Sequence, residues 1–266
     1  MEDLITKSLK ESKFPISNKK TEEKTHKFLT EYITTALSIR GDNYYNEETD
    51  KANQQTYYQN LSPTPDYNQL NQLLASTYHK VEQRINLWAN IDRRPDGTLM
   101  CAYSNARIET EDFRRGYKAD EEHLIPESWH QGSELHPGQD MHQIFVVIKE
   151  AKSSRGNRIF GYSRGKFIIK TGGICMGSNY FKPHFNRGAV CRALLYTLVA
   201  YKDTFLKNHF PPSGLKWIIE TARDEPVSLW EKHRNQEIFK LQGNRNPFID
   251  HPEWCKKINY LGGYFD

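Results

Sequence analysis

Apolar residues recur at helical spacing in several stretches of the chain. Between positions 70 and 88, Leu70, Leu74, Val81 and Ile85 fall on one broad apolar face, the pattern of an amphipathic helix. The same spacing predicts helices over 26–39, 189–208, 215–222 and 226–241, and in the last of these Trp230, Ile238 and Leu241 are expected to point inward. The chain is therefore predicted to be rich in helix.

Strands are predicted in the middle of the chain. Residues 99–108 (LMCAYSNARI) follow a Pro-Asp-Gly turn, and residues 140–147 (DMHQIFVV) are rich in β-forming side chains and end apolar. Residues 148–154 then predict the start of a helix that closes at Gly156. Strand, loop, strand and helix in so short a span are compact enough to hold one active site.

The first quarter of the chain has a different composition. Residues 41–67 are polar, rich in Asn, Gln and Tyr, and end in a Pro-containing stretch, which predicts a linker or a long surface loop. Residues 1–67 are thus assigned to an N-terminal extension and linker, and residues 68–266 to the main domain. The helix at 26–39 either binds a partner or packs on the main domain, and packing is favoured.

Composition narrows the class of protein. The 266 residues carry a net charge of +4, which is mild support for a polyanionic partner. No apolar run approaches the ~18 residues that a membrane span requires. The first residues lack an export signal, so an intracellular location is expected. The four cysteines contain no CxxC pair, which argues against a zinc ribbon and favours free thiols over two disulfides.

Candidate chemistry is concentrated between residues 120 and 157. Glu122 can hold a hard cation through a carboxylate oxygen, and the imidazole of His123 can accept a proton from water near neutral pH. Consecutive residues of a strand point to opposite faces, so the two can share a site only where the strand ends or bends. The nearby Pro126 permits such a break.

The motifs of this region resemble those of the endonuclease I family, whose nonspecific nucleases have a ββα-metal site. The matching segments in the active region are 122–129 (EHLIPESW), 140–142 (DMH) and 155–157 (RGN). Similar segments follow at 181–183 (FKP), 187–196 (RGAVCRALLY), 230–235 (WEKHRN) and 242–252 (QGNRNPFIDHP). The resemblance covers roughly residues 78–258 and implies an α+β fold, in which a ββα-metal nuclease core is wrapped by helices and preceded by a helical N-terminal extension.

The resemblance also implies roles for individual residues. His123 is expected to be the general base, and Glu122 the ligand of Mg²⁺ or Mn²⁺ in a phosphodiester hydrolase that acts on DNA, and on RNA as a further substrate. Three further residues are expected to fix the loop beside the site rather than to bind the metal: Asp140, His142 and Asn157.

One position departs from the family pattern. Three residues before Arg155 the family carries an Asn whose amide oxygen binds the metal, and here the residue is Lys152. A protonated ammonium has no acceptor atom for a cation. Three accounts stay open: Glu122 and waters hold a weakly bound cation, Lys152 replaces the cation in catalysis, or the protein is an impaired nuclease that only binds nucleic acid. The first is favoured, because Mg²⁺ readily keeps several waters.

Basic residues near the motifs are candidates for phosphate contacts. They are Arg155, Arg158, Arg187 and Arg192. For Arg192 a structural role, bridging a core helix to a carboxylate, is an equal alternative. The combined prediction is a metal-dependent endonuclease with DNA or RNA as its partner and no membrane. A nuclease kept inside a cell endangers that cell, which suggests a viral, mobile-element or tightly controlled setting.

Overall fold

A computed structural model describes residues 44–81, 88–129, 137–162, 167–176, 179–201 and 209–260. The chain divides into two compact units, Met1–Tyr44 and Tyr45–Asp266. The second unit contains helices α1 (Glu47–Tyr58), α2 (Tyr67–Thr77), α3 (Trp88–Ile91), α4 (Thr110–Arg114), α5 (Lys149–Arg155), α6 (Arg187–Ala200), α7 (Pro212–Asp224), α8 (Leu229–Gln242) and α9 (Pro247–Asp250). None of these described helices is both long enough and apolar enough to span a membrane.

The strands form three small sheets. They are β1 (Leu99–Met100), β2 (Arg107–Ile108), β3 (Ala119–His123), β4 (Ile144–Ile148), β5 (Ile159–Phe160), β6 (Phe167–Lys170), β7 (Gly173–Met176) and β8 (Tyr180–Pro183). Strands β1 and β2 pair with each other, β3 pairs antiparallel with β4, and the third sheet has the order β5-β8-β7-β6. Helices and small sheets combine as the predicted α+β fold.

Helix α6 is the centre of the core. Every residue from Gly188 to Ala200 is buried, and the helix packs against α2, α7 and α9. Because neighbours surround it, α6 has buried side chains on all sides rather than on one face. The surrounding helices have well-formed ends. Helix α8, for example, begins with a capping box between Ser228 and Glu231 and ends at Gly243, whose φ of 78° favours glycine.

The prediction that residues 41–67 form a linker or surface loop is wrong for the segment that forms α1. This helix lies within residues 41–67, and its Asp50 and Tyr58 are buried. Asp50 accepts a hydrogen bond from Arg245 at 2.7 Å, and Tyr58 donates one to Asp250 at 2.8 Å. These two buried contacts anchor α1 to the C-terminal part of the chain, whereas most of its other polar side chains are exposed. The helix predicted at 26–39 lies outside the described residues.

Other predicted elements differ mainly in length. The helix expected from residue 70 ends at Thr77, and the strand expected over 99–108 is instead the hairpin of β1 and β2. Helix α6 begins at Arg187, and its predicted end lies among residues that are not described. Leu241, expected to point inward, is exposed. All four cysteines are free and buried.

Candidate active site

Strand β3 carries the two predicted catalytic side chains at its end. Antiparallel pairing sets Glu122 opposite Phe145 and His123 opposite Ile144 of β4. The side chain of Glu122 is buried, whereas that of His123 is 21% exposed. Because the strand ends at His123, this side chain is free to turn towards the loop that precedes β4.

The carboxylate of Glu122 is held by two donors on one oxygen. The hydroxyl of Tyr103 donates to Oε1 at 2.8 Å, and Nη1 of Arg155 donates to the same atom at 3.1 Å. Burial raises the pKa of Glu122, and the positive charges of Arg155 and Lys152 and the Tyr103 hydrogen bond oppose this shift. Among the described residues no hydrogen bond is made to Oε2, so this oxygen is the one available to bind a ligand.

Arg155 of α5 locks the end of β3 in place. Besides Glu122, its guanidinium donates to the carbonyl oxygens of His123 at 3.1 Å and Leu124 at 2.5 Å. The side chain is only 2% exposed. The prediction that Arg155 contacts phosphates is therefore wrong, because its donors face the strand and solvent cannot reach them.

Lys152 lies one helical turn before Arg155, and the two share a face of α5. Its ammonium donates to Asp120 Oδ2 and to the carbonyl oxygen of Glu121, both at 2.7 Å. The side chain of Lys152 is 39% exposed, and that of its partner Asp120 is 49% exposed. The ammonium is thus fixed beside the strand that carries Glu122, with part of its surface open to solvent.

The tautomer of His123 follows from its hydrogen bond. Nε2 lies 3.0 Å from the carbonyl oxygen of Gly138. A carbonyl oxygen can only accept, so Nε2 carries the hydrogen and Nδ1 of the neutral ring has a free lone pair. Glu127 lies 3.8 Å from Nε2 on the exposed side. The ring is therefore oriented with Nδ1 able to accept a proton.

A buried polar network fixes the loop that contains Gly138. Asp140 accepts hydrogen bonds from the hydroxyls of Tyr196 at 2.5 Å and Tyr201 at 2.7 Å, and from Gln242 at 2.9 Å. It also caps the backbone of His142. Burial lowers the pKa of His142 to about 4, so this ring is neutral at pH 7. Asp140 and His142 are thus buried next to the loop that contacts His123, and their supporting role stays a prediction.

The endonuclease I family model matches residues 53–253, which is most of the chain. The chain belongs to the endonuclease I family. This confirms the resemblance carried by the motifs. The match begins within α1, so the second half of this helix, which includes the buried Tyr58, lies inside the family region.

Several known nucleases show moderate similarity to the chain. The chain is 31% identical over 140 residues to an extracellular ribonuclease of Bacillus amyloliquefaciens, an alignment that covers 48% of each chain. It is 29% identical over 161 residues to an extracellular deoxyribonuclease of Aeromonas hydrophila, covering 52% of this chain and 68% of the relative. With Endonuclease-1 of Buchnera aphidicola the identity is 27% over 126 residues, covering 45% and 49%. The chain spans about half the length of the Bacillus relative.

The remaining predicted residues of this family member lie in different environments. Arg158 donates to two carbonyl oxygens at the end of α5, and Arg187 pairs with Glu225 at 2.7 Å while staying partly exposed. Asn157 is exposed, and its side chain makes no hydrogen bond within the described part of the chain, so its supporting role stays a prediction.

Arg192 is a core residue. It donates to both carboxylate oxygens of Glu231, at 2.7 and 2.9 Å, and to the carbonyl oxygens of Ala222 and Glu225. Its guanidinium is buried, so the predicted phosphate contact is wrong. The alternative, in which Arg192 bridges a core helix to a carboxylate, agrees with these contacts.

Sequence reasoning missed three contributors to the site. Tyr103 lay in a predicted strand, Gly138 in a loop without a motif, and Asp120 next to the motif, and none had a local signal of its own. Each acts through a single hydrogen bond to a motif residue. Tyr103 could have been found only from its long-range position opposite Glu122, because 19 residues separate them.

Proposed function

We propose that this chain is an endonuclease that hydrolyses phosphodiester bonds of DNA and RNA, with His123 as general base. The observation that carries the proposal is the hydrogen bond from Nε2 of His123 to Gly138, because it leaves Nδ1 as the proton acceptor. Family membership supports the reaction class, and the similar proteins include both an extracellular ribonuclease and an extracellular deoxyribonuclease. Nothing in the motifs indicates recognition of particular bases.

The chain's own residues would act on water and on its approach to phosphorus. Nδ1 of His123 would take the proton as the water oxygen attacks, and Gly138 would keep the ring oriented throughout. Arg155 would hold the backbone of His123, so the ring cannot swing away with the strand end. This arrangement fixes a base whose position depends on two elements, β3 and α5.

Whether the site fits a divalent cation depends on its oxygen donors. Among the described residues no group of three or more His, Cys, Asp and Glu side chains is arranged to hold a metal. Oε2 of Glu122 is nevertheless available, and Mg²⁺ often binds through one carboxylate while keeping several waters. We therefore propose that Mg²⁺ or Mn²⁺ binds weakly at Glu122. When bound, it would relieve the negative charge that develops on the phosphate.

The competing function is a nuclease-like protein that binds nucleic acid without cutting it. Lys152 favours this candidate, because its ammonium lies beside β3 where an oxygen ligand would strengthen cation binding. If the protein is an enzyme, Lys152 only lowers the affinity of the site for the cation. In the competing reading it abolishes cleavage.

Cleavage of supercoiled plasmid and of a labelled RNA separates the two functions. The wild type, His123→Ala and Lys152→Asn would each be assayed with Mg²⁺, with Mn²⁺ and with EDTA. We expect the wild type to cut only with metal, His123→Ala to be inactive, and Lys152→Asn to cut at lower metal concentration. Binding of Mn²⁺ followed by electron paramagnetic resonance should show the same gain in affinity without reference to activity.

Three outcomes would overturn the proposal or a part of it. If the wild type is inert on both substrates in every condition while Lys152→Asn gains cleavage, the native protein is a disabled nuclease. If the wild type cuts equally well in EDTA, no divalent cation is needed and the ammonium of Lys152 has taken over its role. Full activity of His123→Ala would remove His123 as the base.

A further inference from the structure

The segment from Gly138 to Ile144 contacts His123 at both of its ends. The carbonyl oxygen of Gly138 accepts the hydrogen bond from Nε2 of the ring, and Ile144 is the residue of β4 that lies opposite His123 in the strand pair. A short 3-10 helix, Met141–Gln143, joins the two ends. The orientation of the ring relative to its own strand is therefore set by the shape of this segment.

Arg234 of α8 holds this segment from the side of the core. Its Nη2 atom donates to the carbonyl oxygen of Met141 at 2.6 Å and to that of Ile144. The first carbonyl group lies at the start of the 3-10 helix and the second at the start of β4, so one guanidinium spans the turn between them. The guanidinium also lies over the ring of Phe145, 4.0 Å from its centroid.

Asp92, which directly follows α3, holds Arg234. The two side chains form an ion pair at 3.1 Å, and they are only 0% and 3% exposed. Asp92 Oδ2 accepts a hydrogen bond from the backbone N–H of Val146 at 2.9 Å, and the carbonyl oxygen of Val146 accepts one from Ala102. Val146 therefore faces away from β3, and by alternation along the strand so does Ile144. The ion pair supplies this edge of β4 with a donor and an acceptor.

Stability alone does not account for a buried ion pair at this place. Well-packed apolar residues of the same volume are often equally stable, because each charge loses its hydration when it is buried. An arginine provides direction instead, since its planar guanidinium presents several N–H donors in a fixed fork. In Arg234 this fork contacts a carboxylate and two carbonyl groups together, so their relative positions are fixed by one rigid group.

We propose that Arg234 is a positioning residue for His123 and that Asp92 keeps its guanidinium in place. By spanning the turn, Arg234 sets where the carbonyl group of Gly138 meets Nε2, and this keeps the hydrogen on Nε2 and the lone pair on Nδ1. Its donors contact backbone carbonyl groups rather than reacting groups. The inference rests on the proposed function, because it explains how the general base of that reaction is oriented.

The experiment measures the tautomer of His123 and the cleavage rate separately. Nuclear magnetic resonance of the ring nitrogens, in protein labelled on histidine, distinguishes a nitrogen that carries a hydrogen from one that does not. The signals of His123 are those that His123→Ala lacks, and spectra would be recorded at about pH 9, where an ordinary imidazole is neutral. The variant is Arg234→Lys, which keeps a positive charge beside Asp92 but loses the fork that contacts two carbonyl groups.

The matched control is Arg192→Lys. Arg192 is also a buried arginine that pairs with a carboxylate and donates to two carbonyl groups, but those groups belong to Ala222 and Glu225, outside the segment that contacts His123. Both substitutions should lower stability for the same reason, so urea unfolding of each variant establishes that it is folded under the assay conditions. Only Arg234→Lys should change the ring of His123.

The wild type should carry the hydrogen on Nε2 of His123, and Arg234→Lys should show a mixture of the two tautomers. Because a displacement of about 1 Å can cost on the order of 100-fold in rate, kcat for plasmid cleavage should fall by roughly 10- to 100-fold. KM should stay nearly constant, since no group that contacts the substrate is removed. Asp92→Asn keeps an acceptor for Val146 but weakens the hold on Arg234, so it should change the tautomer and kcat in the same direction by less.

Three results would overturn the inference. The first is a folded Arg234→Lys that keeps the tautomer and the kcat of the wild type. The second is an equal change in Arg192→Lys, which would show a general loss of packing. If Arg234→Lys does not fold, Asp92→Asn decides, and an unchanged tautomer and kcat there are the third. Failure of the proposed function is distinguishable, because full activity of His123→Ala would remove the general base while the change of tautomer in Arg234→Lys would still be seen.

Discussion

Replacing Arg192 with Met tests whether this side chain stabilises the core or contacts nucleic acid. Its guanidinium makes two hydrogen bonds to the carboxylate of Glu231, and both side chains are almost fully buried. It also donates to Ala222 at 2.6 Å and to the carbonyl oxygen of Glu225 at 2.8 Å, which are orphan acceptors at the end of α7. Arg192→Met would leave a buried carboxylate and two carbonyl groups without these donors.

The contacts set the size of the expected effect. Removing one partner of a buried ion pair costs about 3–5 kcal/mol, because the remaining charge is uncompensated. Glu231 keeps its hydrogen bonds with the backbone and hydroxyl of Ser228, so the loss should fall in the lower part of this range. Since a typical domain is stable by about 5–15 kcal/mol, Arg192→Met should remove a large share of the free energy of unfolding.

Urea unfolding followed by circular dichroism measures this loss, and a matched double variant tests its cause. Adding Glu231→Gln to Arg192→Met removes the buried charge but keeps an acceptor for Ser228, so it should recover part of the stability. Where both proteins are folded, Arg192→Met should bind a DNA duplex as the parent does. Stability within about 0.5 kcal/mol of the parent, together with a reduced salt slope of binding, would refute the reasoning and make Arg192 a phosphate contact.

Three further predictions use the same unfolding assay. The pKa of His142 is about 4 in the folded state and near 6.5 in the unfolded state, so the unfolded state binds a proton first as the pH falls. The free energy of unfolding should therefore fall by about 2 kcal/mol from pH 7 to pH 5. His142→Gln should remove this pH dependence. Arg245→Met leaves Asp50 and Asp250 buried without their cation and should cost about 3–5 kcal/mol, whereas a loss below about 1 kcal/mol would show that α1 is not anchored there. Tyr103→Phe removes one donor from Glu122 and should cost about 1–2 kcal/mol, and an unchanged urea midpoint would contradict that contact.

The active segment was predictable because its signals are local. The helix expected over 148–154 is α5, Lys149–Arg155, and the apolar half of the strand expected over 140–147 is β4. In both cases the residues that form the element also mark its limits: the run of β-forming side chains ends where α5 begins, and Gly156 with its positive φ closes the helix. The motifs shared with the endonuclease I family lie on these same elements.

Buried charged residues could not be predicted in the same way. Asp50 and Arg245 are 195 residues apart, and Arg155 lies 32 residues from the carbonyl group of His123. Composition alone indicates solvent exposure for such residues, because Arg and Asp are rarely buried unless they are paired. Their partners are specified only by the folded chain. For this reason the sequence predicts a linker or surface loop at α1, a phosphate contact at Arg155, and either a phosphate contact or a structural role at Arg192.

Burial also decides which changes near the site can be interpreted chemically. Lys152 and Arg155 share a face of α5 and both donate to β3, but Lys152 is 39% exposed whereas Arg155 is 2% exposed. A half-exposed ion pair such as Lys152–Asp120 contributes about 0–1 kcal/mol, so Lys152→Asn should leave the fold intact. Any change in its metal requirement would then reflect the chemistry at Glu122. A loss of activity in an Arg155 variant would not allow that conclusion, since the same substitution releases the strand that positions both Glu122 and His123.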